Sequence, residues 1–180
     1  MALISHLGGA HVELYMEGLA AAESVARVVL ADPDGNWEQS AREKLGSKLA
    51  AVYADPLALL AAEIPAMALI SMEAKVSPPV IRAALEAGSH VMAEKPSCVH
   101  ARDFRPLVAL ADSKGLHLML ALSNRILPDV LKARELVASG AIGELYGVEM
   151  HFLADQTRLA RDSYEEMVGW TLEKSRSGGG

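Results

Sequence analysis

Short aliphatic runs alternate along the chain with longer stretches in which apolar residues recur at helical spacing. Residues 2–5 read as a first strand. Residues 11–22 read as a helix, with Val12, Tyr15, Met16 and Leu19 on one face. A second strand over 26–31 ends in Asp32-Pro33-Asp34-Gly35, a strong turn signal. The pattern then gives a helix over 37–45 closed by Gly46, a strand over 50–53, and a short helix over 56–63 opened by proline. A strand over 66–71 precedes a helix over 79–87, which Gly88 ends. A fifth strand spans 89–94, a helix 101–113 stops at Lys114-Gly115, a sixth strand spans 116–122, and a last helix covers 129–139.

Strands that alternate with helices argue for βαβ units and a parallel sheet. Six of them make a doubly wound α/β domain, a parallel Rossmann sheet that presents its ligand loops at the carboxyl ends of its strands. Those loops follow Ser5, Ala31, Ser71, Ala93 and Leu122. Beyond this domain, Tyr146, Val148, Met150 and Phe152 alternate with Gly147, Glu149 and His151, a half-buried strand pattern over 145–154. A lone strand is not a stable sheet. Residues 1–122 therefore read as the dinucleotide-binding type of domain, and 123–180 as a connecting helix plus the first elements of an incomplete α+β second domain.

The 180 residues are 51% apolar and only 4% aromatic, which suits helices packed on aliphatic parallel strands. No apolar run is long enough to cross a bilayer, and no basic region precedes the short apolar start. A net charge of −6 gives no reason to expect nucleic acid or an anionic membrane. The single Cys98 fits a reducing cytoplasm. Cys98-Val99-His100 offers only two ligands, too few for a zinc site, so no metal is expected.

The chemistry concentrates in the run Ala87-Gly88-Ser89-His90-Val91-Met92-Ala93-Glu94-Lys95-Pro96. It turns on a glycine, climbs a strand and delivers Glu94-Lys95-Pro96 at the sheet's ligand edge. The proline keeps Lys95 out of the helical region. By itself the triplet is either a solvated charge pair or a placed amine. The run resembles the AGKHVxxEKP signature of the glucose–fructose oxidoreductase/inositol dehydrogenase/MocA (Gfo/Idh/MocA) family of NAD(P)-dependent oxidoreductases. Four further segments resemble that family in order: Val28 to Asp34, Arg125 to Pro128, Gly140-Ala141-Ile142-Gly143-Glu144, and Trp170 followed by Gly178-Gly179-Gly180. The resemblance implies hydride transfer between a nicotinamide cofactor and a secondary alcohol or ketone of a sugar or polyol. It puts Lys95 near the nicotinamide and the reacting carbon, oriented by Glu94, with Pro96 holding the turn.

The cofactor side departs from that family. Where a G-x-G-x-x-G turn would cradle a pyrophosphate, Ser5 and Leu7 take the first two glycine positions and Ala10 the third. Leu7 would stand where the pyrophosphate approaches. Gly8 and Gly9 either re-form the cradle one residue later at the helix N-terminus, or make a plain turn. Asp32 either accepts the ribose hydroxyls, favouring NAD over NADP, or serves the turn before Pro33. After the fourth strand, the family's Pro, Asn and His positions hold Glu73, Ala74 and Ser77, and Glu73 either makes a solvated loop pair with Lys75 or stands, unusually, near the nicotinamide. Arg125 either contacts substrate or pairs with Asp129.

The leading expectation is an NAD-using oxidoreductase with a small-molecule substrate, cytoplasmic, and homo-oligomeric through its second-domain sheet. The alternative is a non-catalytic Rossmann-type binding or regulatory protein that has lost its cofactor grip. The family's Asp and His after the glycine run have no counterpart, so the sequence reads as truncated and not competent by itself.

Overall fold

The computed structural model describes residues 1–6, 8–151, 153 and 169–178. Six parallel strands form one sheet: β1 Ala2–Ser5, β2 Val28–Ala31, β3 Leu49–Tyr53, β4 Met67–Ser71, β5 His90–Ala93 and β6 Leu118–Leu120. They lie in the order β3-β2-β1-β4-β5-β6. The helices between them are α1 Val12–Ala21, α2 Glu38–Leu45, α3 Pro56–Glu63, α4 Ser77–Glu86 and α5 Ala101–Lys114. This is the doubly wound α/β arrangement that the alternation predicts.

Side-chain alternation builds two cores. Leu3, Val28 and Leu30 join Val12, Met16, Leu19, Ala41 and Leu45 of α1 and α2. Their neighbours Ile4, Val29 and Ala31 turn the other way, to Leu59, Ile81, Leu85 and Leu107 of α3, α4 and α5. Both faces of the central strands are thus dry, which explains their unbroken aliphatic character.

Asp55 caps α3 by accepting from the N–H groups of Leu57 and Ala58, at 2.9 and 3.3 Å, just before Pro56. Lys48 closes α1 from a distance. Its Nζ donates to the carbonyls of Leu19, Ala20 and Ala22 at 3.1, 2.7 and 2.8 Å, groups that a helix end leaves without partners. Lys48→Met, which keeps the aliphatic stem, is expected to lower stability by about 2 kcal/mol, read from urea unfolding. An unchanged midpoint would mean that water serves those carbonyls equally well.

Three elements differ most from the sequence reading. The sixth strand is only Leu118–Leu120, because the Leu116 N–H bonds back to the Ala111 carbonyl and belongs to the helix exit. Helix α4 starts at Ser77, since Pro78 and Pro79 fit a first turn whose N–H groups need no helical partner. The expected strand over 145–154 is not formed among the described residues: Tyr146, Val148 and Met150 are exposed and no neighbouring strand pairs with them. Phe152 and Ala154 lie outside the described residues.

Contacts divide the chain into two units. One comprises Met1–Ala121 with Asp162–Gly180, the other Leu122–Arg161. The second unit carries a short 3-10 turn, Ser123–Ile126, and helix α6, Pro128–Ala138. No described helix is long and apolar enough to cross a membrane.

Candidate functional site

The sheet order reverses between β1 and β4, the point at which an open α/β sheet offers its crevice. Two serines tie this point together. Ser5 Oγ donates to the Ser71 carbonyl at 2.9 Å, and Ser71 Oγ donates to the Ala10 carbonyl at 2.6 Å. Gly9 lies between them. A Cβ there would stand 2.1 Å from Ser5 Oγ and 2.5 Å from the Ser71 carbonyl oxygen, so only glycine fits. Gly9 thus takes over the close helix–strand packing for which the sequence reading assigned Ala10, and Ser5 acts as a clamp rather than a failed glycine. Leu7 lies outside the described residues.

The amides of this turn point inward. The Gly9 N–H donates to the His6 carbonyl at 2.8 Å, and the Gly8 N–H reaches His6 Nδ1 at 2.8 Å. His6 Nε2 faces the Glu73 N–H at 3.0 Å. A neutral imidazole accepts at one nitrogen only, so the ring serves one of these amides at a time. Burial holds His6 below the ordinary histidine value, against the opposing pull of Glu73 and Asp34. Two indoles complete the turn: Trp37 Nε1 donates to the His6 carbonyl and Trp170 Nε1 to the Gly8 carbonyl, each at 3.0 Å. What remains for an anion is the N-terminus of α1, whose first N–H groups have no helical partner.

Asp32 is buried at the end of β2. Its Oδ2 accepts from the Trp37 and Glu38 N–H groups at 2.7 and 3.0 Å, and its Oδ1 from Asn36 N–H at 3.2 Å. The carboxylate therefore caps α2 itself. The turn needs this side chain directly, and Oδ1, which accepts from one donor, retains accepting capacity.

Glu94 follows β5 and its side chain is only 4% exposed. Oε1 accepts the Lys95 N–H at 2.9 Å and lies 3.9 Å from Lys95 Nζ. Oε2 accepts from the Tyr15 hydroxyl and lies 3.2 Å from His11 Nδ1. Lys95 is half exposed, and the peptide joining it to Pro96 is cis. An amine beside a buried carboxylate at a strand's carboxyl end can hold a proton and stabilise an oxyanion.

The sequence reading did not single out Tyr15 beyond its helix face, nor His6, His11 or Arg176. Glu73 is corrected. It is not a solvated partner of Lys75 but the seat of Arg176, whose Nε donates to Oε2 at 3.0 Å and whose second amino nitrogen meets Oε1. A buried-side tyrosine one turn into the helix and a lone Glu in a strand-end loop were the available signals. Arg125, in the second unit, is exposed and makes no ion pair with Asp129 among the described residues.

A family model described as an oxidoreductase family with an NAD-binding Rossmann fold, GFO_IDH_MocA, matches residues 6–122. An uncharacterized oxidoreductase of Schizosaccharomyces pombe is 34% identical over 112 residues, which are 62% of this chain and 30% of that protein. The trans-1,2-dihydrobenzene-1,2-diol dehydrogenase of Oryctolagus cuniculus is 38% identical over 96 residues, 53% of this chain and 26% of the enzyme. The scyllo-inositol dehydrogenase of Lactobacillus casei, solved with bound NAD(H) and scyllo-inositol, shares the fold with a TM-score of 0.68 at 18% identity, over 80% of this chain and 42% of that one. The chain thus spans less than half the length of each.

Proposed function

The chain belongs to the Gfo/Idh/MocA oxidoreductase family, and from that premise we propose that the whole protein moves hydride between NAD(H) and a secondary alcohol or ketone of a sugar or polyol. The observation that supports this most is the Glu94–Lys95 arrangement, a cation beside a buried carboxylate at the ligand edge of the sheet.

The residues present fit a dinucleotide, though by a changed route. Helix α1 offers its N-terminal amides to the pyrophosphate, Asp32 offers Oδ1 to the ribose, and Glu94, Lys95 and Pro96 border the nicotinamide end. Gly8 and Gly9 shape the turn, while their own amides face His6. A bound nicotinamide would supply the hydride acceptor for oxidation and the hydride donor for reduction. The Lys95 ammonium hydrogen-bonds the substrate oxygen and relays its proton, one N–H proton passing to water as the hydroxyl proton arrives, and the relay runs backward in reduction. Glu94 keeps the amine at the crevice, and Arg125 contacts the substrate. The protein works in the cytoplasm as a homo-oligomer.

Asp32 sets the cofactor preference, because a buried carboxylate at the ribose repels a 2′-phosphate. Titrating the whole protein with NADH and NADPH is expected to show NADH binding about tenfold tighter or more. Tighter NADPH binding would remove Asp32 from this role. The inward-facing amides of Gly8 and Gly9 favour a second reading, a non-catalytic binding or regulatory protein; binding of neither dinucleotide would select it.

A further inference from the structure

Glu94 is a carboxylate almost wholly out of water, so both oxygens need partners if it is to stay charged. Its partners are divided. Tyr15 of α1 and His11 just before it serve Oε2, and the Lys95 backbone and amine face Oε1. The residues on Oε2 stand 79 and 83 positions away in sequence, so the carboxylate joins the first helix to the end of the fifth strand.

We propose that Tyr15, with His11 beside it, is a positioning residue for Lys95: it anchors Glu94 Oε2 and so keeps Oε1 turned to the lysine. This rests on the reading of Lys95 given above. His11 is the residue just before α1 and Tyr15 lies one turn into it, and both reach the same oxygen. The phenol is a lasting donor, since burial first, and then its bond to Glu94, push it well above the ordinary tyrosine range. Without that donor the carboxylate loses a charge-assisted hydrogen bond while remaining buried, and nothing from the tyrosine holds Oε2 in place. Oε1 is then no longer kept turned to the lysine. Among the described residues, the titratable groups seen against Glu94 are Tyr15 of α1, His11 at its N-cap and Lys95 beside it.

The test uses Tyr15→Phe, which keeps the ring and removes one oxygen, in the whole protein. The carbon NMR signal of the Glu94 carboxyl, assigned by its loss in Glu94→Gln, is expected to move in Tyr15→Phe, because the hydrogen bond to Oε2 is gone. With NAD+ and scyllo-inositol, D-xylose or trans-1,2-dihydrobenzene-1,2-diol, kcat should fall about tenfold with KM nearly unchanged. In a Glu94→Gln background, Tyr15→Phe should do nothing more. His11→Asn, which tolerates the left-handed backbone at φ 57°, should move the same signal by less, and serves if Tyr15→Phe does not fold. An unmoved Glu94 carboxyl signal in both variants overturns the positioning role, as does a Tyr15→Phe effect that persists in Glu94→Gln. Turnover that Lys95→Ala destroys and Tyr15→Phe leaves normal overturns this inference alone. Turnover that survives Lys95→Ala overturns both readings.

Discussion

Lys95→Ala is expected to lower turnover by about 10²- to 10⁴-fold, the range for losing a positioned acid–base group. Stability should change by less than about 0.5 kcal/mol. The two expectations separate because the side chain contributes little to the fold. It is half exposed, and its amine lies 3.9 Å from Glu94, a distance at which a solvated ion pair adds little. Glu94 also keeps its other partners when the amine is removed, namely the Lys95 backbone N–H and the Tyr15 hydroxyl. A large loss of turnover with an unchanged urea midpoint would place the amine in the chemistry. A parallel loss of both would make it a structural residue.

Gly9→Ala should destabilise the chain by about 3 kcal/mol or more, at the upper end of overpacking effects. The added carbon meets a carbonyl of the central strand β4 and a hydroxyl that is itself bonded to that carbonyl, and neither has room to withdraw. Gly8→Ala is the control. There the nearest atom is His6 Cε1 at 2.7 Å, the end of a side chain that can turn, so about 1 kcal/mol is expected. Urea unfolding of the two variants separates them. Equal midpoints would mean that the β1–α1 turn shifts as a body and that Gly9 is not its fixed point.

The sheet was legible because its signal is local and repeated. Aliphatic runs of four or five residues, each followed by a helix-period stretch, leave little choice but parallel strands with crossovers. Boundaries failed where backbone hydrogen bonds decided them, as at Leu116, whose N–H closes α5 instead of extending β6. The site was legible only in part. Lys95 and Glu94 announce themselves by sitting between a strand and a proline. Asp32 was visible as an acid at a strand end, but its service to three amides of the next helix depends on how the chain bends after Pro33. Ser5 looked like a defect in a glycine pattern. Its bond to the Ser71 carbonyl, 66 residues away, has no trace in the local sequence. The same holds for Tyr15 on Glu94 and for Arg176 on Glu73, contacts 79 and 103 residues apart. Such pairs arise from strand order, and no window along the chain contains both members.

Hydride transfer at the Lys95 end of the sheet, as proposed, is read by isotope transfer. The whole protein would be incubated with NAD+ and carbon-deuterated sugars and polyols, including scyllo-inositol, and the nicotinamide ring examined by mass spectrometry. The expected result is deuterium carried from the alcohol carbon to the nicotinamide ring, lost in Lys95→Ala. Reduced cofactor free of deuterium, or no transfer from any alcohol in the panel to a cofactor that the protein binds, would contradict it.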